Sequence, residues 1–141
     1  MHGHFSSLRK TKIMATIKLG NKPKTFKPFP VKFTMPDGEE GAINTTFKYR
    51  TRKEYGAFLN DLYHSADTEK PAEGEQIDFE ALFAKGGEKT VKKLIEAIDS
   101  WEFSYDLTVE TLLQLQDEIP ASIAAFGDAY RGACLDGRLG N

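Results

Sequence analysis

The chain has 141 residues, of which 40% are hydrophobic and 28% charged, a balance that is typical of a folded domain and excludes wholesale disorder. Its one cysteine, Cys134, excludes an intrachain disulfide and a cysteine-based metal cluster, and no apolar run approaches the ~20 residues of a membrane span. The net charge of −2 conceals a division, because residues 1–53 hold twelve basic and three acidic residues, whereas residues 54–141 hold seven basic and eighteen acidic ones.

Residues 1–13 are polar and basic without periodicity, and we expect them to form a disordered N-terminal extension. The histidines His2 and His4 have no carboxylate or thiol nearby, so we predict no metal site there. Residues 1–16 also lack the apolar segment of a secretory signal. We therefore expect the protein to stay in the cytoplasm in which it is made.

Residues 31–50 predict a β-hairpin, because apolar and polar side chains alternate on both sides of a turn. Pro36 presets the dihedral angle of the turn, Asp37 can accept a bond from its own backbone, and Gly38 supplies the left-handed conformation. The outward face carries Lys32, Lys48 and Arg50. The predicted inward positions are Val31, Phe33, Met35, Ile43, Thr45, Phe47 and Tyr49.

A helix over residues 52–63 is predicted to follow, since Thr51 and Glu54 form a capping box in which each side chain satisfies an unpaired amide. We expect this helix to pack across the hairpin and to complete a unit at residues 14–64. Its apolar stripe is Tyr55, Phe58, Leu59, Leu62 and Tyr63. Residues 65–76 are polar and contain Pro71 and Gly74, which predicts a flexible loop.

Residues 77–141 are predicted to form a helical half within one compact domain. Phe79, Leu82 and Phe83 share one face of a short helix at 77–83, which Gly86 and Gly87 are expected to break. A further helix is predicted over residues 88–98, with Val91, Leu94, Ile95 and Ile98 buried. We interpret Trp101 as a core residue at the junction with the last two helices.

The last third contains two helix starts. Thr108 is a suitable N-cap, Pro120 fits the first turn of a second helix that runs to about Leu135, and Gly137 ends it. Small residues flank the apolar stripe of the second helix, a composition that suits docking. The stripe is Ile119, Ile123, Phe126, Tyr130, Ala133 and Cys134. The predicted fold class is therefore α+β, with a small N-terminal antiparallel hairpin sheet packed on a helix and a C-terminal half of three to four helices.

We find no catalytic constellation in the sequence and predict that the protein is not an enzyme and binds no cofactor or metal. The segment 85–90 contains Gly86 and Gly87 but lacks the upstream glycine spacing of a phosphate-binding loop. Cys134 lies on an apolar stripe, where a cysteine is normally a packing residue. Asp117 and Glu118 lie at a helix junction, where solvation or capping explains them.

Nucleic-acid binding is the more serious alternative, because aromatic residues are interleaved with Lys and Arg in the basic region and could provide a stacking platform. These aromatic residues are Phe26, Phe29, Phe33, Phe47 and Tyr49. Against it, Phe33, Phe47 and Tyr49 fall on the inward phase of the hairpin, and the pI of about 5.9 is not that of a basic domain. Core aromatic residues with solvated lysines are the simpler explanation. The oppositely charged regions could attract each other within one chain, pair between copies, or engage different partners.

Several segments of the last third occur in a characteristic order, with a blunt end at residues 137–141. They are Leu107-Thr108-Val109-Glu110-Thr111-Leu112-Leu113, then Glu118-Ile119-Pro120 opening a helix, then Asp128-Ala129-Tyr130-Arg131. In this pattern the chain resembles the tail assembly chaperones of long-tailed bacteriophages. No invariant catalytic motif defines that family, so the resemblance lies in the overall pattern.

The resemblance implies a non-catalytic protein of the host cell cytoplasm that is absent from the mature virion. By family analogy it would coat the helical, aggregation-prone tape measure protein until tail tube protein, a second partner, polymerises around it. Such a client needs many weak apolar grooves in series, which a self-associating helical protein could supply. We place the partner-binding surface on Phe126, Ala129, Tyr130, Gly132 and Leu135, with the alternative that these residues only close the core.

One further expectation follows from the resemblance. In this family a longer product often arises by ribosomal slippage near the stop codon, and Leu139-Gly140-Asn141 can be encoded by a slippery run. The alternatives in other functional classes are a structural or connector protein of the virion and a small nucleic-acid-binding module that uses the basic hairpin. Detection in purified particles would favour the connector, and salt-dependent retention on DNA would favour the nucleic-acid-binding module.

Overall fold

A computed structural model describes residues 14–65 and 79–140 of the chain. The elements in chain order are β1 (Phe29–Thr34), β2 (Glu40–Phe47), α1 (Arg52–Ser65), α2 (Phe79–Ile95), β3 (Ile98–Glu102), α3 (Val109–Glu118) and α4 (Pro120–Asp136). The fold is mixed α+β, as predicted. The predicted extension at 1–13 and the predicted loop at 65–76, apart from Ser65, lie outside the described residues.

The hairpin of β1 and β2 forms as its alternation predicted. The register pairs Val31 with Ile43, and the side chains of both residues are buried. In the turn, Gly38 has a φ of 89° and donates its N–H to the carbonyl of Met35, while the Asp37 carboxylate accepts from the amide of Glu39 at 3.0 Å. The turn residues therefore act as predicted and fix which face of the hairpin meets the core.

A third strand, β3, pairs antiparallel with β2 and makes the sheet order β1-β2-β3. The helix predicted over residues 88–98 is therefore too long, since it ends at Ile95, and strand β3 was not predicted. Ile98 continues the helical spacing of Val91 and Leu94, and it is buried as predicted, but at a strand position. An irregularity in register between Thr46 and Phe47 disturbs the pairing with β3. The short, irregular strand therefore lacks a clean period of two.

Helix α2 runs without interruption from Phe79 to Ile95, so the predicted break at Gly86 and Gly87 is wrong. A Cβ atom added to Gly87 would collide with the side-chain oxygen of Gln116 on α3. The atoms it would meet belong to the end of a flexible side chain that can move aside, so the packing does not require a glycine there. The contacts of α2 with α3 outweigh the ~0.5–1 kcal/mol that a glycine costs inside a helix. The same continuity leaves no glycine loop for phosphate at this position.

Helix α1 begins at the predicted capping box. The amide of Thr51 donates to the Glu54 carboxylate at 2.9 Å, and the amide of Glu54 donates to the Thr51 hydroxyl at 3.1 Å. The bond from the Thr51 amide is the main reason that the pKa of Glu54 lies below its usual value. The helix that lies across β1 is α4, and α1 packs mainly on α4 and α2, so the predicted place of α1 on the hairpin is corrected.

The two C-terminal helices begin and end where the sequence predicts. The Thr108 hydroxyl accepts from the amide of Thr111 at 3.1 Å, and Pro120 stands in the first turn of α4. Gly137 adopts a left-handed φ of 68°, and its amide donates to the carbonyl of Ala133. These caps set the length of α4, which carries the largest share of the helical core residues.

The hydrophobic core lies between the inner face of the sheet and the helices. Its largest fully buried side chains are Tyr130, Phe47, Phe126, Leu112, Val31 and Val91, so both the strand-bearing and the helical regions contribute. Trp101 packs against Phe126 with ring centroids 6.1 Å apart, in agreement with its interpretation as a core residue. Among the described residues, none of the helices has the length and apolarity that crossing a membrane requires.

Candidate functional site

The residues of α4 that we predicted to bind a partner lie mainly inside the core. Phe126 is 0% exposed and Tyr130 and Ala129 are each 2% exposed, while Gly132 is also buried. Leu135 is the only member of the set with a partly exposed side chain. This burial supports the alternative interpretation, in which the set closes the core, and leaves partner binding by these residues as a prediction.

The hydroxyl group of Tyr130 ties α4 to the end of β2. It donates to the backbone carbonyl of Lys48 at 3.0 Å and accepts from the Arg50 guanidinium at 2.7 Å. Burial raises the pKa of this phenol, and the hydrogen bond from Arg50 opposes the rise without cancelling it. Tyr130 is therefore a neutral structural residue whose polar atom is satisfied within the protein.

The ring of Phe58 on α1 lies beside two cationic groups. The guanidinium carbon of Arg50 is 4.5 Å and the Lys93 Nζ is 4.6 Å from the ring centroid. Lys93 is largely buried and forms ion pairs with Asp61 and Glu96. Burial alone would lower the pKa of Lys93, but the two carboxylates outweigh it, and the pKa is raised. These contacts join α1, α2 and the end of β2 into one rigid corner.

An apolar groove lies between the segment after β3 and helix α3. Its volume is about 190 Å³, and we define it by its lining residues Phe103, Tyr105, Thr111, Gln114, Leu115, Glu118 and Ile119. Tyr105 is 61% exposed at the mouth, and its backbone carbonyl accepts from the Trp101 indole at 3.0 Å. This groove was not predicted from the sequence, because its walls come from two segments that only the turn after β3 brings together.

The apolar groove is small and open to solvent, with an acidic rim. Its volume lies below the ~300–1,000 Å³ of pockets that enclose a small molecule, so it fits one or two side chains of a peptide segment. Leu115 forms part of the floor and belongs to the core cluster, which makes the floor firm. Glu118 on the rim accepts a bond from Gln114 at 2.7 Å. The arrangement is that of a surface for apolar side chains.

A second, polar cleft of about 530 Å³ lies at the other end of the sheet. Its lining mixes basic and acidic residues, namely Lys24, Thr25, Lys48, Tyr49, Arg50, Glu54, Ala57 and Asp99. Three of the aromatic residues considered for nucleic-acid stacking, Phe29, Phe33 and Phe47, are buried in the core. Tyr49 remains half-buried and packs on Phe26 with ring centroids 5.2 Å apart. The rings of Phe29, Phe33 and Phe47 are therefore packed in the core and do not form a surface on which bases could stack.

The N-terminal arm, residues 14–19, projects apolar side chains into solvent. Met14 and Ile17 are each 87% exposed, and Leu19 is 95% exposed. Gly20 turns the chain with a φ of 83°, and Thr25 then forms a β-bridge with Lys48. The arm thus has no helix or strand from Met14 to Lys18, enters a turn at Leu19 and Gly20, and is followed by a root that the bridge at Thr25 fixes. Its apolar side chains were not singled out by the sequence analysis.

Metal or thiol chemistry has little support within residues 14–65 and 79–140. No group of three or more His, Cys, Asp or Glu side chains in these ranges is placed to hold a metal ion. Cys134 is buried on α4, as its position on the apolar stripe predicted, and burial raises the pKa of its thiol. A raised pKa keeps a thiol protonated and poorly nucleophilic.

Comparison with known proteins adds one match. A family model described as phage tail assembly chaperone matches residues 14–141, which is nearly the whole chain. No curated protein and no solved structure matches the chain significantly. The match extends from the N-terminal arm through the hairpin to the last residue, whereas the resemblance covers the C-terminal third well and residues 31–50 less distinctly.

Proposed function

Since the chain belongs to the phage tail assembly chaperone family, we propose that it binds the tape measure protein and keeps it soluble until the tail tube assembles. The family assignment supports a role in tail assembly and an interaction with tail proteins in general. A chaperone role of this kind is non-enzymatic. We further propose that the protein works in the host cell cytoplasm, needs no cofactor and is absent from the mature virion.

The observation that supports client binding at a specific place is the apolar groove. A helical client presents apolar side chains at positions i and i+3 or i+4, and a groove of about 190 Å³ has room for one or two of them. The Tyr105 ring, 61% exposed at the mouth, can cover such a side chain and thereby lose its own exposed surface. The acidic rim at Glu118 would favour a client segment with flanking Lys or Arg.

Binding at one such groove should be weak. Burial of one aliphatic side chain contributes ~1.5–3 kcal/mol, while association costs an estimated ~4–15 kcal/mol in lost freedom. Stable coverage of a long client therefore requires many copies that bind in series along it, so that their contacts with the client add together. This requirement agrees with a chaperone that coats its client.

The proposal is tested by co-expression with the tape measure protein encoded in the same genome, followed by affinity capture and size-exclusion chromatography. We expect a multi-copy complex and a soluble client. Gln114→Arg places a bulky charge at the groove and should reduce the soluble client at least tenfold. The matched control is Asn60→Arg on α1, which makes the same kind of change at an exposed position outside the groove. An insoluble client with the unmodified chain would refute the proposal.

The end of α4 is the second candidate surface for the client. Leu135 is partly exposed, and its backbone carbonyl accepts from Arg52 at 3.2 Å, which holds this corner in place. If Leu135→Ser reduces client capture while Gln114→Arg does not, the client binds the surface predicted on α4.

Mass spectrometry of purified virions distinguishes the chaperone from the connector protein, because a chaperone should be absent from the particles.

A further inference from the structure

The N-terminal arm is a segment without an evident role in the fold of its own chain. Its three large apolar side chains, Met14, Ile17 and Leu19, are 87–95% exposed. Residues 15–19 also alternate, so that in an extended chain Ile17 and Leu19 lie on one side, ~7 Å apart, and Lys18 lies on the other. An extended apolar ridge of this kind is suited to pairing with a complementary groove.

We propose that the N-terminal arm inserts Ile17 and Leu19 into the apolar groove of a second copy of this chain. Two apolar side chains match the groove of about 190 Å³ in size and chemistry. Phe103 and Tyr105, which form one wall, follow the edge strand β3 directly, so an extended arm can lie alongside that edge while its side chains enter the groove.

Charge complementarity selects a copy of the same chain as the occupant. Residues 14–36 carry five lysines and no acidic residue, whereas residues 99–130 carry seven acidic residues and no Lys or Arg. The first range contains the arm and the second contains every residue that lines the groove. A basic segment therefore meets an acidic surface, which favours this pairing over an arrangement that brings two arms together.

The position of the arm favours exchange between copies over folding back. Its root is fixed where Thr25 bridges to Lys48, and the amide of Phe26 donates to the carbonyl of Phe47 at 2.9 Å on the β1 side of β2. The groove begins at Phe103, after β3 at the opposite edge of the sheet. Ile17 and Leu19 are exposed and therefore do not fill the groove of their own chain, so they are free to enter the groove of a neighbour, and repetition of this contact makes a chain of copies.

This inference concerns the chain alone and goes beyond the proposed function. It is measured on purified protein without any client, so its failure leaves client binding standing. Conversely, an arm-linked assembly would remain established if the tape measure protein proved not to be the client.

Disulfide trapping between two differently substituted chains tests the contact directly. A chain with Leu19→Cys is mixed with a chain that carries Gln114→Cys, and the mixture is mildly oxidised. We expect a cross-linked dimer of the two chains. Leu139→Cys, which is exposed outside the arm and the groove, replaces Leu19→Cys in the control mixture and should give at least tenfold less cross-link. An equal yield from the control mixture would overturn the proposal.

A single chain that carries both Leu19→Cys and Gln114→Cys distinguishes the alternative occupant. If oxidation gives a monomer with an internal disulfide, the arm occupies its own groove and the exchange is refuted. The native Cys134 is buried and should not compete for either cysteine.

Sedimentation velocity of the unmodified chain provides the independent measurement. We expect association that weakens with added salt, because opposite charges contribute to it. The double variant Ile17→Ser/Leu19→Ser should raise the dissociation constant roughly a hundredfold, which corresponds to ~2.7 kcal/mol of lost apolar burial. Both substituted side chains are exposed, so the fold should persist, and Leu139→Ser is the control. A chain that is monomeric at all concentrations would also refute the exchange.

Discussion

The hydroxyl group of Tyr130 makes two hydrogen bonds within the protein. It donates to the carbonyl of Lys48 and accepts from Arg50. We predict that Tyr130→Phe lowers the free energy of unfolding by ~1–3 kcal/mol, because it leaves the part-buried carbonyl of Lys48 without this donor and the Arg50 cation without this acceptor. Urea unfolding measures the change. Tyr105→Phe removes the same atom from a mostly exposed ring, so a loss of similar size in that control would contradict the explanation.

The same residue contributes to a pH dependence of stability. Burial raises the pKa of Tyr130 and of Cys134, and ion pairs raise that of Lys93. Each group therefore holds its proton in the folded state at pH values where the unfolded chain releases it. The folded state binds more protons, so stability is full below the unfolded pKa values, which are about 8.5 for Cys and about 10 for Tyr and Lys, and falls as the pH rises through them.

We accordingly predict that the free energy of unfolding decreases between pH 8 and pH 11, by at most ~1.4 kcal/mol per pH unit for each group. Urea titrations across this range measure the slope. Tyr130→Phe should make the slope shallower near pH 10, since one of the three protons is then absent. A stability that rises with pH would show that other groups dominate.

At the scale of elements, the end of α4 depends on one backbone conformation. Gly137 has a φ of 68°, which costs a residue with a side chain ~1–2 kcal/mol. We predict that Gly137→Ala destabilises the protein by about that amount. Gly127 lies in the middle of the same helix with open space around its Cα, so Gly127→Ala should instead stabilise by ~0.5–1 kcal/mol. Thermal unfolding of the two variants should therefore shift in opposite directions.

Elements whose ends are set by interactions between residues close in the sequence could be predicted. The turn at Asp37 and Gly38, the capping box at Thr51 and the cap at Gly137 each depend on contacts within a few residues. Helix α2 and strand β3 were not predictable in the same way, because α2 continues through Gly86 and Gly87 and is supported by packing against α3. Strand β3 likewise depends on pairing with β2, which lies about 55 residues earlier in the chain.

At the scale of the whole molecule, the candidate site illustrates a similar division. The apolar stripe of α4 indicated a helix that docks on a partner. In the structure α4 covers β1, and the residues of its stripe are buried in the core. A stripe alone does not distinguish burial against the same chain from burial against a partner. The apolar groove beside Tyr105 could not be predicted from the local sequence. Which apolar residues stay exposed is known only once the fold shows which of them the core buries.

The two proposals share one groove, which leads to a final prediction that depends on both. If the arm of a neighbour and the client occupy the groove in turn, each lowers the apparent affinity of the other by mass action. The variant Ile17→Ser/Leu19→Ser has free grooves, so a client segment should bind it more tightly than it binds the unmodified chain. Gln114→Arg should weaken both self-association and client binding, because the changed residue lines the shared groove.

Isothermal titration of each variant with a soluble tape measure fragment gives the affinities, and sedimentation in the same buffers gives the state of assembly. Competition requires that added fragment dissociate the assemblies of the unmodified chain. If the fragment instead binds the assemblies and leaves them intact, the client and the arm occupy different surfaces. The end of α4 at Leu135, which is partly exposed, is then the surface that binds the client. In that case the arms link neighbouring copies that lie along the client.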